Sequence, residues 1–224
     1  MNSKSRFALF LVGSPRGFSS TSATLGTYLL DRMKARGFET EKLHIQTAMR
    51  SAEGKQNLVT QASNCDVLLL AFPLFADSLP APVIATLEML AEQRKKDASS
   101  KIQLLMTIVN NGFPEAQQNA IAVQICRRFA KEAGLKWAGG LSLGGGGAIN
   151  GVPLEKAGFV ARNAKKALDY AANDLIEGRA ISKQAVELMV KPSIPRWLYL
   201  WMSNRGWKQQ AKACGAEDRL YDRP

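Results

Sequence analysis

Apolar residues along the 224-residue chain fall into short unbroken runs separated by helical stripes. Phe7 to Val12 is apolar throughout, as are Val67 to Phe72 and most of Ile102 to Val109. Runs of this length are too short to cross a membrane and predict central strands covered on both faces. From Thr40 to Ile45 the pattern alternates, with Leu43 and Ile45 on one side and Lys42 and His44 on the other, as in a half-exposed edge strand. A fifth strand is predicted near Leu135 to Leu143. Stripes of Leu25, Tyr28, Leu29 and Met33 predict a helix from about Ser20 to Lys34, ended by Gly37. Similar spacing predicts helices over Pro80 to Lys96 and Glu115 to Ala133, and a last covering helix near Leu154 to Ile176.

Five alternations of strand and helix with short connections predict an α/β doubly wound parallel sheet. An edge-type second strand beside a buried first one favours the flavodoxin-like order 2-1-3-4-5, with its ligand crevice where strands one and three diverge. Residues 1–178 would form this domain and 179–224 a C-terminal extension, a helical and aromatic tail. Residues 192–207 hold three of the four tryptophans, and Pro192 and Pro195 are expected to interrupt any long helix there. The tail's apolar stripe is expected to pack on its own domain or a sister subunit in a homo-oligomer, dimer or tetramer. Peripheral membrane contact through Trp197, Trp201 and Trp207 with Arg196, Arg205 and Lys208 is the weaker expectation.

In this topology the loops after strands one, three and four converge. The first offers the hydroxyls of Ser14, Ser19, Ser20 and Thr21, the guanidinium of Arg16 and the turn glycine Gly17 at a helix N-terminus, a place suited to a phosphate. It is neither a Walker loop nor a GxGxxG turn. The second, Pro73, Leu74 and Phe75 leading to Pro82, sets a flat aromatic and an apolar rim where a planar ring could rest. The third is Asn110, Asn111, Gly112, Phe113 and Pro114, with amide donors and another aromatic. The loops read as a seat for flavin mononucleotide (FMN), whose ring Leu74, Phe75, Asn110, Gly112 and Phe113 would border.

Gly13-Ser14-Pro15-Arg16, Ser19-Ser20-Thr21, Pro73-Leu74-Phe75 and Asp77 to Pro82 together resemble the NADPH-dependent FMN reductase family of flavodoxin-like proteins, over roughly residues 7 to 178. The chain departs from the family pattern at Ser20, where Asn is usual, and at Phe75, where Tyr is usual. Loss of the tyrosine hydroxyl keeps a stacking face and removes a proton donor. The resemblance implies FMN as cofactor, NADPH or NADH as co-substrate, and hydride passed through the flavin to a quinone or another small electrophile. Such chemistry requires no catalytic side chain. Some relatives bind an iron–sulfur centre through a cysteine cluster after strand two, but Gln46 to Asn57 contains no cysteine.

The formal charge of +11 comes from Lys and Arg scattered over several predicted helices with no nucleic-acid motif, so a basic surface attracting anionic cofactors and lipids is expected rather than a nucleic-acid partner. It also disfavours the rival reading, an electron-carrier flavodoxin docking protein partners, because such carriers are commonly acidic. A cofactor-free interaction module is a third possibility. Cys65, Cys126 and Cys214 are odd in number and far apart, so a reducing, cytoplasmic setting is expected, with no metal site. The lone histidine, His44, is expected on the surface away from the crevice. The glycine run at 144 to 147, with Asn150, reads as a mobile loop ahead of the alternative that it shapes the nicotinamide or acceptor entrance.

Overall fold

A computed structural model describes residues 5–96, 101–219 and 222. The chain begins with β1 (Phe7–Val12), α1 (Thr21–Lys34) and β2 (Glu39–His44), continues through the single turn α2 (Ile45–Ala48) and α3 (Ala52–Asn64), then β3 (Val67–Pro73) and α4 (Ala81–Lys96). It proceeds through β4 (Leu104–Asn110), α5 (Ala120–Glu132), β5 (Lys136–Leu143), α6 (Arg162–Ile176), α7 (Lys183–Val190) and α8 (Arg196–Ala213). The described residues form a five-stranded sheet, parallel throughout, in the order β2-β1-β3-β4-β5. This is the doubly wound, flavodoxin-like arrangement expected from the pattern, with the alternating strand at the edge.

The unbroken runs become central strands because each of their faces meets helices. Ala8, Phe10 and Val12 join Leu69, Ala71, Met106 and Ile108 beneath α1, α6 and α7, while Leu9, Leu11, Leu70 and Phe72 face α3, α4 and α5. Helix α1 lies close on the sheet at Gly26, where a Cβ would stand 2.0 Å from the Phe10 ring. Only glycine admits the ring there.

Several boundaries differ from the expected ones. The last covering helix begins at Arg162, after Pro153 and a 3-10 turn at Gly158–Ala161, so Leu154 is buried from a loop. A 3-10 turn at Ala116–Asn119 likewise precedes α5. Pro192 and Pro195 do interrupt the tail, between α7 and α8, but α8 then runs unbroken for 18 residues with Pro195 as its N-cap. Beyond Gly178, Asp174 fastens the turn into α7 by accepting from the Ser182 N–H at 2.9 Å and pairing with Arg179 at 3.0 Å. Ala185 and Met189 of α7 are then buried in the same core as α1 and α6. None of the helices is long and apolar enough to cross a membrane among the described residues.

Candidate functional site

All three predicted loops leave the sheet at its C-terminal edge because β1, β3 and β4 are neighbouring parallel strands in matched register, Pro73 opposite Asn110. The Gly13 N–H donates to Ala71 O at 2.8 Å and the Leu74 N–H to Asn110 O at 2.7 Å, joining loop one to β3 and loop two to loop three.

The expected phosphate residues divide into two groups. Ser14, Ser20 and Thr21 are buried and engaged within the protein. Ser14 Oγ accepts from the Arg16 N–H, and Ser20 Oγ accepts from the Ala23 N–H at 3.1 Å as the N-cap of α1 while donating to Gly17 O at 2.7 Å. Thr21 Oγ1 donates to Gly146 O at 2.9 Å. Arg16 and Ser19 are exposed. The Arg16 guanidinium donates one bond, to Asn150 Oδ1 at 3.0 Å. It lies beside the N-terminus of α1, whose first turn holds no acidic residue.

Loop two is a tight reversal. Phe75 and Ser78 exchange backbone hydrogen bonds at 2.9 and 3.0 Å across Ala76 and Asp77, which take φ of 46° and 58°. The turn holds the Phe75 ring 63% exposed. Pro73 and Leu74 sit half-buried at its base. In loop three, Asn110 and Asn111 are buried and serve the frame. Asn110 Oδ1 accepts from Ser22 Oγ at 2.6 Å, and Asn111 Nδ2 donates to Glu115 O and Asn119 Oδ1. Asn119 in turn donates to the carbonyls of Val109 and Leu143, closing the end of β4 onto β5. The Phe113 N–H joins this network by donating to Asn111 Oδ1 at 2.9 Å, while its side chain stands 55% exposed.

Three features depart from expectation. The glycine run is held in place: the Gly145 N–H donates to Phe113 O, the Gly146 N–H to Asn111 O, and Gly146 O takes the Thr21 hydroxyl. The chain then crosses loop one so closely at Gly151 (φ +76°) that a Cβ would lie 2.3 Å from Ser19 O. A run of small residues can follow other backbone at this range, and that chemistry was the available signal for it. His44 is not remote from the crevice. Its ring contacts Ser14 O at 2.9 Å and Thr47 Oγ1 at 2.8 Å and lies 6.0 Å from the Phe18 ring, because the last residue of β2 is adjacent to the loop that follows β1. From the tail, Tyr199 donates to Gly112 O at 2.8 Å, and burial raises its hydroxyl pKa. Spacing within the tail gave no sign of this contact, which spans 87 residues.

Beneath the tail is a small, mostly apolar cleft of about 50 Å³, open to solvent, between the glycine run and α6 to α8, with Met189, Ile194 and Tyr199 in its wall. Among the described residues there is no cluster of potential metal ligands. Cys65 and Cys126 are buried and burial pushes both thiols up to about 12; Cys214 is exposed.

No family model and no curated protein sequence matches the chain. Solved structures do. A Trp repressor binding protein from Bacillus subtilis superposes with a TM-score of 0.58 at 12% identity, over 73% of this chain and 98% of its own. An NADH:FMN oxidoreductase in its apo form gives 0.57 at 17% identity, over 86% and 97%. An FMN-dependent NADH-azoreductase from Bacillus anthracis, in complex with FMN, gives 0.52 at 11% identity, over 76% and 100%. At these identities the likeness is one of fold, and the fold is flavodoxin-like.

Proposed function

We propose that the C-terminal edge of the sheet binds FMN and that the protein is an NAD(P)H-dependent flavin oxidoreductase passing electrons to a quinone or another small electrophile. The observation that carries this reading is the presentation of Phe75. Two non-glycine residues in the left-handed region cost on the order of 1 kcal/mol each. Here Ala76 and Asp77 adopt it to hold a phenyl ring in solvent. A flat apolar face so displayed, with a second exposed aromatic, Phe113, on the loop hydrogen-bonded to its own, suits a planar ring.

The residues also fit the phosphate end. Arg16 supplies a fixed cation and Ser19 a free-standing hydroxyl at the positive end of α1. Ser14, Ser20, Thr21, Asn110 and Asn111 would act by fixing the loops' shape, and Gly112 by leaving the ring edge accessible. Bound flavin would supply the two-electron acceptor, so the chain itself has to orient the ring and screen it from water. The names of two similar folds, an NADH:FMN oxidoreductase and an FMN-dependent NADH-azoreductase, support the same chemistry.

The test is spectroscopic. Purified protein titrated with FMN should quench flavin fluorescence at one equivalent, and anaerobic NADH or NADPH should bleach the bound flavin. Flavin retained but unbleached by either nucleotide would favour the electron-carrier reading. Failure to bind FMN would overturn both.

A further inference from the structure

We propose that the outward face of α8 docks on anionic phospholipid bilayers. The tail's tryptophans do not pack on their own domain, the first of the two places expected for their stripe, the other being a sister subunit. Trp197, Trp201 and Trp207 are 70%, 57% and 66% exposed, and Leu200 and Met202 beside them are exposed too. Tyr199 is the one buried residue of the helix. It faces Gly112, which fixes which side of α8 points inward.

At about 3.6 residues per turn, Trp197, Trp201, Lys208 and Lys212 then share one stripe on the opposite side, flanked by Arg205 and Trp207. Helix α8 carries four basic residues and no acidic one. Arg196 pairs with Glu115 at 3.3 Å, while Arg205 lies over the Trp201 ring at 5.8 Å. Arg205, Lys208 and Lys212 have no carboxylate partner among the described residues, although Glu217 and Asp218 follow just past the end of the helix.

Charge decides between occupants. A second copy joined through this face by a two-fold axis along the helix would press the same cations against each other, and one joined antiparallel would set them over tryptophan rings with no anion to meet them. An uncharged apolar partner would strip them of water without replacement. A phospholipid surface meets both demands: tryptophan rings sit at headgroup depth while lysine and arginine reach phosphate, and the net charge of +11 draws the whole protein toward it. The helix would lie in the surface, since it is too polar to cross. This inference stands apart from the flavin reading.

The test uses the full-length protein with vesicles of phosphatidylcholine alone or mixed with phosphatidylglycerol. Co-sedimentation with the anionic vesicles only, weakening as salt rises, and a blue shift of tryptophan emission are expected. Lys208→Gln and Lys212→Gln should each lower the partition coefficient about fivefold. Trp201→Ala should lower it further, with far-ultraviolet circular dichroism unchanged in every variant. Protein left in the supernatant with anionic vesicles, or a Lys208→Gln/Lys212→Gln variant that binds like the parent, would overturn the proposal. So would tryptophans shielded from a soluble quencher without lipid in a sedimenting dimer, which would give the face to a second copy.

Discussion

Arg16 spends a single hydrogen bond on Asn150 and leaves the remainder of its guanidinium in solvent, so its removal should cost the fold little and the ligand a great deal. A hydrogen bond to a charged group contributes about 1.5–3 kcal/mol. Arg16→Ala should therefore weaken FMN binding about 10- to 100-fold, measured by fluorescence titration, with an unchanged thermal transition. Thr107 is the converse case. Its side chain is fully buried in β4 and its hydroxyl has no hydrogen-bond partner among the described residues. Thr107→Val keeps the shape and removes the unsatisfied group, so it should stabilise the protein by about 1 kcal/mol in urea denaturation. Both residues were visible in the sequence, yet only Arg16 stood out there. A threonine in an apolar run gives no hint of whether its hydroxyl will find an acceptor.

At the scale of elements, periodicity was the reliable guide. The strands Phe7–Val12 and Val67–Pro73 were legible because burial on both faces leaves no polar residue in them, and β2 because at the sheet edge none of its residues is fully buried and polar residues are tolerated. Helix α3 was less distinct, since it buries only Leu58 and Ala62. The attachment of α8 was not legible. One tyrosine hydroxyl, one ion pair and a buried ring hold it to the domain, and such contacts have no period. An element held so lightly should open on its own. Amide hydrogen exchange should find α8 much less protected than α1, and Tyr199→Phe should erase most of that remaining protection without moving the melting temperature. Exchange at Gly145, whose N–H donates to the loop Tyr199 clamps, should quicken in the same variant. Equal protection of α8 and α1 would contradict this account.

For the molecule as a whole, the sequence conveyed which loops would meet but not how they would be filled. Convergence follows from strand order, and strand order from which runs are buried; the closing contacts from Gly146, Asn150 and Tyr199 come from segments whose local pattern is silent. Stability at high pH is another property of the whole. Cys65 and Cys126 lie in the same core, beneath α3, α4 and α5, and global unfolding is what exposes them. Burial raises both thiols from 9.0 to about 12. Below pH 9 they are protonated in either state and favour neither. As the pH climbs from there toward 12, the unfolded chain releases protons that the folded chain retains, so unfolding gains at a rate of up to about 1.4 kcal/mol per thiol per pH unit. Urea midpoints should therefore fall steeply on the alkaline side. Lysines and tyrosines titrate in the same range, so the decisive comparison is a Cys65→Ala/Cys126→Ala variant. It should begin less stable at neutral pH, because two buried side chains are truncated, and lose stability more gently above pH 9. Parallel alkaline slopes for parent and variant would mean that the thiols ionise without unfolding.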